Sequence, residues 1–493
     1  MDILLIFGAI CDIIIIYEAF ERILKMSEVT LKKKSVDMTE GNIVKHIILF
    51  AIPLLVGNIF QQLYNMVDTF VVGNFVSNEA FSAVGTVGPI TNMIIGIFMG
   101  FSSGAGAVIS QNFGAKQYDK VKKAVHTSMV VTAILSIVFT VIGVAMTPLM
   151  VSLIKHNDDV KVHSIPYLTI YFAGITGLLV YNIGSAILRA IGDSKRPFYF
   201  LVASAITNIV LDFVFVFAIP ADLRPTYGSW AVAFATIIAQ GVSAVLTLIA
   251  LFKSDTCIKL SMKEMKLDLD ILKKIVSIGF PAALQMAITS FSNVFVMSYI
   301  NALGTNYSSG WSAYSKIDQL MFLPMQSLAL ASTTFVAQNL GRGFEGRAKK
   351  GISRTVLIAV LTTVILMVPV IGFAPYLVAF FNQTPEVIEA GSLFLTWITP
   401  FYVCCCFNQV YAGALRGAGN SRAPMIIMII SFVVVRQIYL FVGSNYISND
   451  PIVIGMSYPA GWLVCCTTMY TYYKRTSLLK HRVVDGEAEK ERA

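Results

Sequence analysis

Apolar residues in this chain fall in runs of roughly 20 to 30, each broken by a short polar stretch, and a helix of that length crosses a hydrocarbon core of about 30 Å. The alternation predicts twelve transmembrane helices. The first covers residues 46–76 and the last 452–473. Between them the fourth reads as one span over 163–188, the fifth over 197–219, the sixth over 229–252, the tenth over 390–415 and the eleventh over 423–444. Composition agrees: 56% of the 493 residues are apolar and 13% charged, too little polar surface for a soluble domain. The expected fold class is an all-α polytopic membrane protein.

Charge sets the orientation. With the loop before the first span in the cytoplasm, the 37 Lys and Arg residues sort to the inner side, apart from Lys155, Lys161 and Arg224 outside and Lys316 and Arg436 within spans. This positive-inside pattern predicts a multi-pass inner-membrane protein with both termini cytoplasmic. The net charge of +9 therefore reports topology, and no nucleic-acid partner is expected. Cys404, Cys405, Cys406, Cys465, Cys466, Cys11 and Cys257 lack zinc-binding spacings and read as packing residues, so no metal site is expected. Residues 1–38 are an extension whose apolar stretch is interrupted by Asp12 and Glu18. It reads as an extra span, an interfacial helix or, the favoured reading, an over-extended start with Met26 or Met38 as initiator.

The two halves repeat each other. Leu188-Arg189 through Gly192-Asp193-Ser194 to Pro197 aligns with Leu415-Arg416 through Gly419-Asn420-Ser421 to Pro424. At the same offset Gln111-Asn112-Phe113-Gly114 aligns with Gln338-Asn339-Leu340-Gly341. Pro53 and Asn65 pair with Pro281 and Asn293 one residue further apart. Gly and Pro at these places are turn signals, able to end one helix and start the next. The division expected is an N-lobe over 39–253, a cytoplasmic connector over 254–273, a C-lobe over 274–474 and a tail over 475–493. Because each lobe holds an even number of spans, the pseudo-two-fold axis should lie along the membrane normal.

Ionisable residues within spans are Asp68, Asp212, Lys316, Asp318 and Arg436. An aspartate at mid-bilayer costs about 2.5–3.5 kcal/mol, which makes each a candidate for function. Helical rise puts Asp68, Asp212 and Thr236 in the outer half of spans one, five and six. Asn208 lies one turn before Asp212, on the same helix face. Two carboxylates, an amide and a hydroxyl at one depth suit Na⁺ or a shared proton, the alternative being a hydrogen-bonded packing cluster. The repeat register replaces Asp68, Asn208 and Asp212 by Val296, Val435 and Tyr439, so the cluster belongs to the first copy alone. Asp318 and Arg436 read as an interhelical ion pair, or Asp318 as lining a polar cavity.

Several of these stretches are also familiar in combination. Thr39-Glu40-Gly41-Asn42, Ala51-Ile52-Pro53-Leu54-Leu55, and Gln61-Gln62-Leu63-Tyr64-Asn65-Met66-Val67-Asp68-Thr69 with Gly73 resemble the opening of the multidrug and toxic compound extrusion (MATE) family. Gln111 to Gly114, Leu188 to Ser194, Asn208 to Asp212 and Ala235-Thr236 resemble later motifs of its prokaryotic, DinF-like branch. The resemblance spans residues 39–474 and implies a twelve-helix antiporter of two six-helix lobes. Such a protein expels amphipathic, often cationic compounds in exchange for H⁺ or Na⁺, without a cofactor. It implies a cation site at Asp68, Asn208, Asp212 and Thr236 and a bend at Pro53. Where NorM-like members carry acids in helices seven and ten, Thr289 and Cys405 stand here, so coupling through the second lobe is not implied.

The functions that compete are a flippase for a lipid-linked precursor, a membrane enzyme and a passive channel. Only Lys316 and Arg436 would make a central cavity basic, as a flippase would need. His46, His126, His156, His163 and His481 are scattered, so no catalytic constellation is visible and no enzyme is expected. Small amphipathic molecules and membrane lipids are the partners expected, for a chain acting as a monomer.

Overall fold

The computed structural model describes residues 36–153 and 158–484. Residues 1–35, which are most of the N-terminal extension, residues 154–157 with Lys155, and the end of the tail lie outside them. Among the described residues all regular structure is helical. The first helices are α1 (Ile43–Phe75), α2 (Asn78–Gly114), α3 (Tyr118–Leu153), α4 (Asp158–Ala173), α5 (Ile175–Ala190), α6 (Lys195–Ala218) and α7 (Arg224–Phe252). After a connector come α8 (Leu269–Ala302), α9 (Thr305–Gly341), α10 (Glu345–Gly372), α11 (Ala374–Ala379), α12 (Pro385–Ile398), α13 (Tyr402–Ala418), α14 (Arg422–Ile429), α15 (Arg436–Val442), α16 (Pro451–Gly455) and α17 (Ser457–Arg475). Among the described residues eleven stretches are long and apolar enough to cross a membrane, and the bent pair α4 and α5 makes twelve when counted as one span.

Several spans are interrupted along their length. The fourth bends by 47° at Gly174, between α4 and α5. The tenth is split into α12 and α13 by a 3-10 turn over Thr399–Phe401, where Pro400 has no N–H to continue the ladder. In the eleventh, π-helical turns over Ile430–Val435 and Gly443–Ile447 flank α15. Extra residues of this kind rotate the side chains that follow, and they gather at functional positions.

The described residues pack as two compact units. The first holds residues 56–98 and 118–272 with Val36, and the second holds 37–55, 99–117 and the chain from 273 onward. These units cut across the chain-order division into 39–253 and 274–474, because the start of α1 and the end of α2 pack with the second set of helices. Helix α1 changes unit between Leu55 and Val56, just beyond Pro53.

In the first unit α6 lies along α7, and α5 also packs on α7. Val71, Leu168, Phe172, Ile175, Leu179 and Val232 form its apolar centre. The connector is clasped to the start of α3. His126 Nε2 accepts the Ser261 N–H at 3.1 Å, Thr127 Oγ1 accepts the Asp268 N–H at 3.1 Å, and Lys122 pairs with Glu264 at 2.7 Å. In the second unit α9 is the central helix, packed on α10, α12 and α13 around Phe335, Phe394, Tyr402 and Val410.

The repeated turn motifs have one geometry in both copies. Gly192 and Gly419 are left-handed, with φ of +87° and +99°. Gly192 N–H donates to Arg189 O and Asp193 N–H to Leu188 O; Gly419 N–H donates to Arg416 O and Asn420 N–H to Leu415 O. That is the Schellman arrangement that closes a helix. Asp193 and Asn420 then accept the N–H groups of Arg196 and Ala423 at 3.1 and 3.2 Å, which starts α6 and α14.

The second repeated motif sits where α2 and α9 cross inside the second unit. A Cβ on Gly114 would stand 1.9 Å from Gln338 O, and one on Gly341 would stand 2.0 Å from Gln111 O. Each glycine therefore admits the backbone of the other copy. The glutamine side chains serve the surrounding chain: Gln111 Nε2 donates to Gly417 O at 2.8 Å, and Gln338 Oε1 accepts the Met38 N–H at 2.9 Å.

Candidate cation site

Asp68 lies on the part of α1 that belongs to the first unit, where it is 6% exposed. Helix α6 carries Asn208 and Asp212 one turn apart on one face, and α7 carries Thr236; all three are buried. The structure brings these four side chains together, with Asp212, Asn208 and Thr236 all close enough to Asp68 to act on its charge. Thr236 Oγ1 is 3.5 Å from Asp68 Oδ2 and 2.9 Å from Val232 O. Its proton serves the closer carbonyl, so its lone pairs stay available.

The polar atoms of this cluster do not satisfy one another. Asp68 Oδ1, both carboxylate oxygens of Asp212 and both amide atoms of Asn208 are buried without a hydrogen bond of normal geometry. Gln240 Oε1, one turn beyond Thr236 on α7, is in the same condition. Buried polar atoms are nearly always paired, and two facing carboxylates away from water repel each other when both are charged. A group of oxygens with negative charge, whose few donors leave most of those oxygens unpartnered, is suited to a small hard cation or to a proton. The donor set fits Na⁺ for the same reason: two carboxylates, an amide oxygen and a hydroxyl are all oxygen ligands.

Two residues at the site went unread in the sequence. Tyr64, one turn before Asp68, and Tyr167 on α4 both lie within electrostatic range of Asp68, and Tyr167 also of Asp212. The i−4 spacing of Tyr64 was a usable signal. Tyr167 comes from another helix and gave none.

The second unit has no counterpart. Val296, at the position of Asp68, is fully buried in the apolar core. Thr289 Oγ1 is buried without a partner, and Cys405 is 2% exposed. Asp318 and Arg436 are not joined as an ion pair. Asp318 accepts hydrogen bonds from Tyr402 and Tyr314, while Arg436 donates to Ser292 Oγ at 2.6 Å and lies 4.8 Å from the centre of the Tyr458 ring. Tyrosine and serine hydroxyls have taken the places that the two charges would have given each other.

The MatE family model matches residues 53–214 and again 281–442, more than half of the chain, with Pro53 and Pro281 opening the two matches. The chain belongs to the MatE family. The doubled match follows the internal repeat, and MatE proteins are transporters, so this chain is a multi-pass membrane transporter and not an enzyme. It is 28% identical over 448 residues to the probable multidrug resistance protein YpnP of Bacillus subtilis, covering 91% of this chain and 99% of that one. It is 23% identical over 383 residues to an FAD transporter of Shewanella oneidensis, covering 76% and 83%. Among solved structures, the outward-facing form of a multidrug resistance MATE transporter superposes with a TM-score of 0.84 at 23% identity, over 91% of this chain and 99% of that one. The fold of this MatE chain is thus that of the MATE transporters.

Proposed function

We propose that this chain is a secondary active exporter that expels amphipathic compounds, cationic ones among them, in exchange for H⁺ or Na⁺ taken up at Asp68, Asn208, Asp212 and Thr236. It acts as a monomer in the bacterial cytoplasmic membrane with both termini inside, its lobes being 39–253 and 274–474. The observation that carries the reading is the buried group of unpartnered oxygens on α1, α6 and α7. Left empty and charged, that group would be costly, and a cation or proton relieves the cost. A site whose preferred packing depends on its occupant supplies two states, which is what coupling requires. Pro53 offers a place for the change, since residue 53 cannot donate the backbone hydrogen bond of a regular turn. The names of the relatives favour drug export over transfer of a lipid-linked precursor.

The test is transport by the purified protein in proteoliposomes, with pH and Na⁺ gradients imposed separately against a panel of cationic dyes. One gradient should drive dye movement, and Asp68→Asn should abolish it in a folded, inserted protein. Dye movement that ignores both gradients, or an Asp68→Asn variant exporting at the wild-type rate, overturns the proposal.

A second reading of the cargo rests on Arg436, which is 3% exposed and has a buried Nε without a partner. A guanidinium held without a carboxylate suits an anionic group on a transported molecule. The relative named as an FAD transporter carries a cargo with a pyrophosphate. On this reading FAD competes with dye export, and Arg436→Gln removes the competition while leaving dye export intact. Failure of FAD to compete excludes this cargo.

A further inference from the structure

The second unit contains a groove of about 1110 Å³ that the cation site and its coupling do not use. Lys349, Lys350 and Arg354 from the first turns of α10 face it on one side, and Lys474 from the end of α17 faces it on another. None of its lining residues is acidic. The one nearby carboxylate that pairs with these cations is Glu345, which binds Lys349 at 3.0 Å and also accepts the Leu478 N–H at 3.1 Å. Lys350, Arg354 and Lys474 form no ion pair among the described residues.

The walls between these cations are aromatic. Tyr411 packs on Tyr473 with ring centres 4.8 Å apart and on Tyr470 at 6.1 Å, and Lys474 Nζ lies 5.5 Å from the centre of the Tyr470 ring. Further along α10 the lining turns apolar at Val356 and Leu357, the latter 47% exposed. The groove thus combines a basic recess, tyrosines at its wall and an exposed apolar residue. That combination matches an anionic phospholipid, with its phosphate among the cations, its glycerol region at the tyrosines and its chains on the apolar side. A soluble phosphate compound would share the first contact but has no use for the last. The Lys and Arg pattern assigns this end of the helices to the cytoplasmic leaflet, where anionic lipids meet juxtamembrane cations.

We infer that the groove between the start of α1, α10, α13 and α17 binds the phosphate headgroup of an anionic phospholipid. Asn42, Ile43 and Val44 line it too, so the headgroup would link the first turn of the helix that carries Asp68 to three others.

The test uses the whole protein, delipidated in a neutral detergent and titrated separately with dioleoyl phosphatidylglycerol and dioleoyl phosphatidylcholine. Bound lipid is counted by native mass spectrometry. One phosphatidylglycerol should be retained in preference to phosphatidylcholine. The combined variant Lys350→Gln, Arg354→Gln and Lys474→Gln should weaken that binding on the order of a hundredfold, about fivefold for each cation removed. Arg354→Lys keeps the charge and should hold the affinity within about twofold. Removing two charges elsewhere, by Lys195→Gln with Lys253→Gln, should change nothing. Equal retention of the two lipids, equal loss in the control pair, or displacement of phosphatidylglycerol by inorganic phosphate at matched concentration would each overturn the inference.

Discussion

Replacing Asp212 by Asn keeps the shape of the side chain and takes one negative charge from the candidate cation site. Asp212 is fully buried, and its two oxygens are among the unpartnered atoms of the cluster. Removing one member of a buried charged group typically costs about 3–5 kcal/mol of its interaction. At about 1.4 kcal/mol per factor of ten, ion affinity should fall from a hundredfold to a few thousandfold. Folding should not suffer, since the variant also removes the repulsion between two facing carboxylates. A wild-type protein in coupling ion at about 100 times its dissociation constant gains about 2.7 kcal/mol of stability, and the variant at that concentration gains almost nothing. The assay is thermal denaturation in detergent, titrated once with Na⁺ and once with acid, alongside export by the same preparation in proteoliposomes. The expected result is an ion-free midpoint at or above that of the wild type, no rise with the coupling ion, and no gradient-driven export. An ion-induced rise equal to that of the wild type would refute the site, and so would undiminished export.

Other substitutions probe the rest of the molecule. Thr289→Ala and Cys405→Ala should each change export by less than about twofold, because the first deletes a hydroxyl that has no partner and the second a buried thiol outside the cation site. A loss like that of Asp68→Asn would bring the second unit into coupling. Pro53→Ala should keep equilibrium ion binding and slow turnover; unchanged transport, or loss of binding together with transport, removes the hinge. Gly114→Ala should lower stability by about 3 kcal/mol in thermal denaturation, because its Cβ meets backbone rather than a movable side chain. Adding Gly341→Ala should cost less than a second full increment, since both act at one crossing.

The length of the apolar runs made most spans legible, but not their breaks. Gly174 and Pro400 stand in the sequence as ordinary turn signals, and a run of apolar residues on both sides hid the bend at the first and the 3-10 turn at the second. The π-helical turns around Arg436 had no signature at all, because one inserted residue leaves hydropathy unchanged. Within the candidate site, the pairing of Asn208 and Asp212 was readable from spacing on one helix, and the choice of Asp68 and Thr236 rested on depth and the resemblance. Tyr167 was not, since its approach depends on how α4 packs. Asp318 and Arg436 carry opposite charges, yet their partners are hydroxyls on other helices that charge counting does not see. The packing units were unreadable for a related reason: chain order assigns a helix to one half, whereas α1 and α2 each divide their contacts between two.

The crossing of α2 and α9 also bears on how such a chain arose. Gly114 meets the carbonyl of Gln338 while Gly341 meets that of Gln111, each copy offering the other the same surface. Reciprocity of this kind defines an isologous contact, the form an interface takes when two identical subunits meet across a two-fold axis. A half-length ancestor carrying one Gln-Asn-X-Gly motif would have had both sides of the contact already, and could have dimerised through it before its gene was joined head to tail. Fusion then freed the two copies to differ. One now carries acids where the other has valine and tyrosine, while the glycines where they touch are alike.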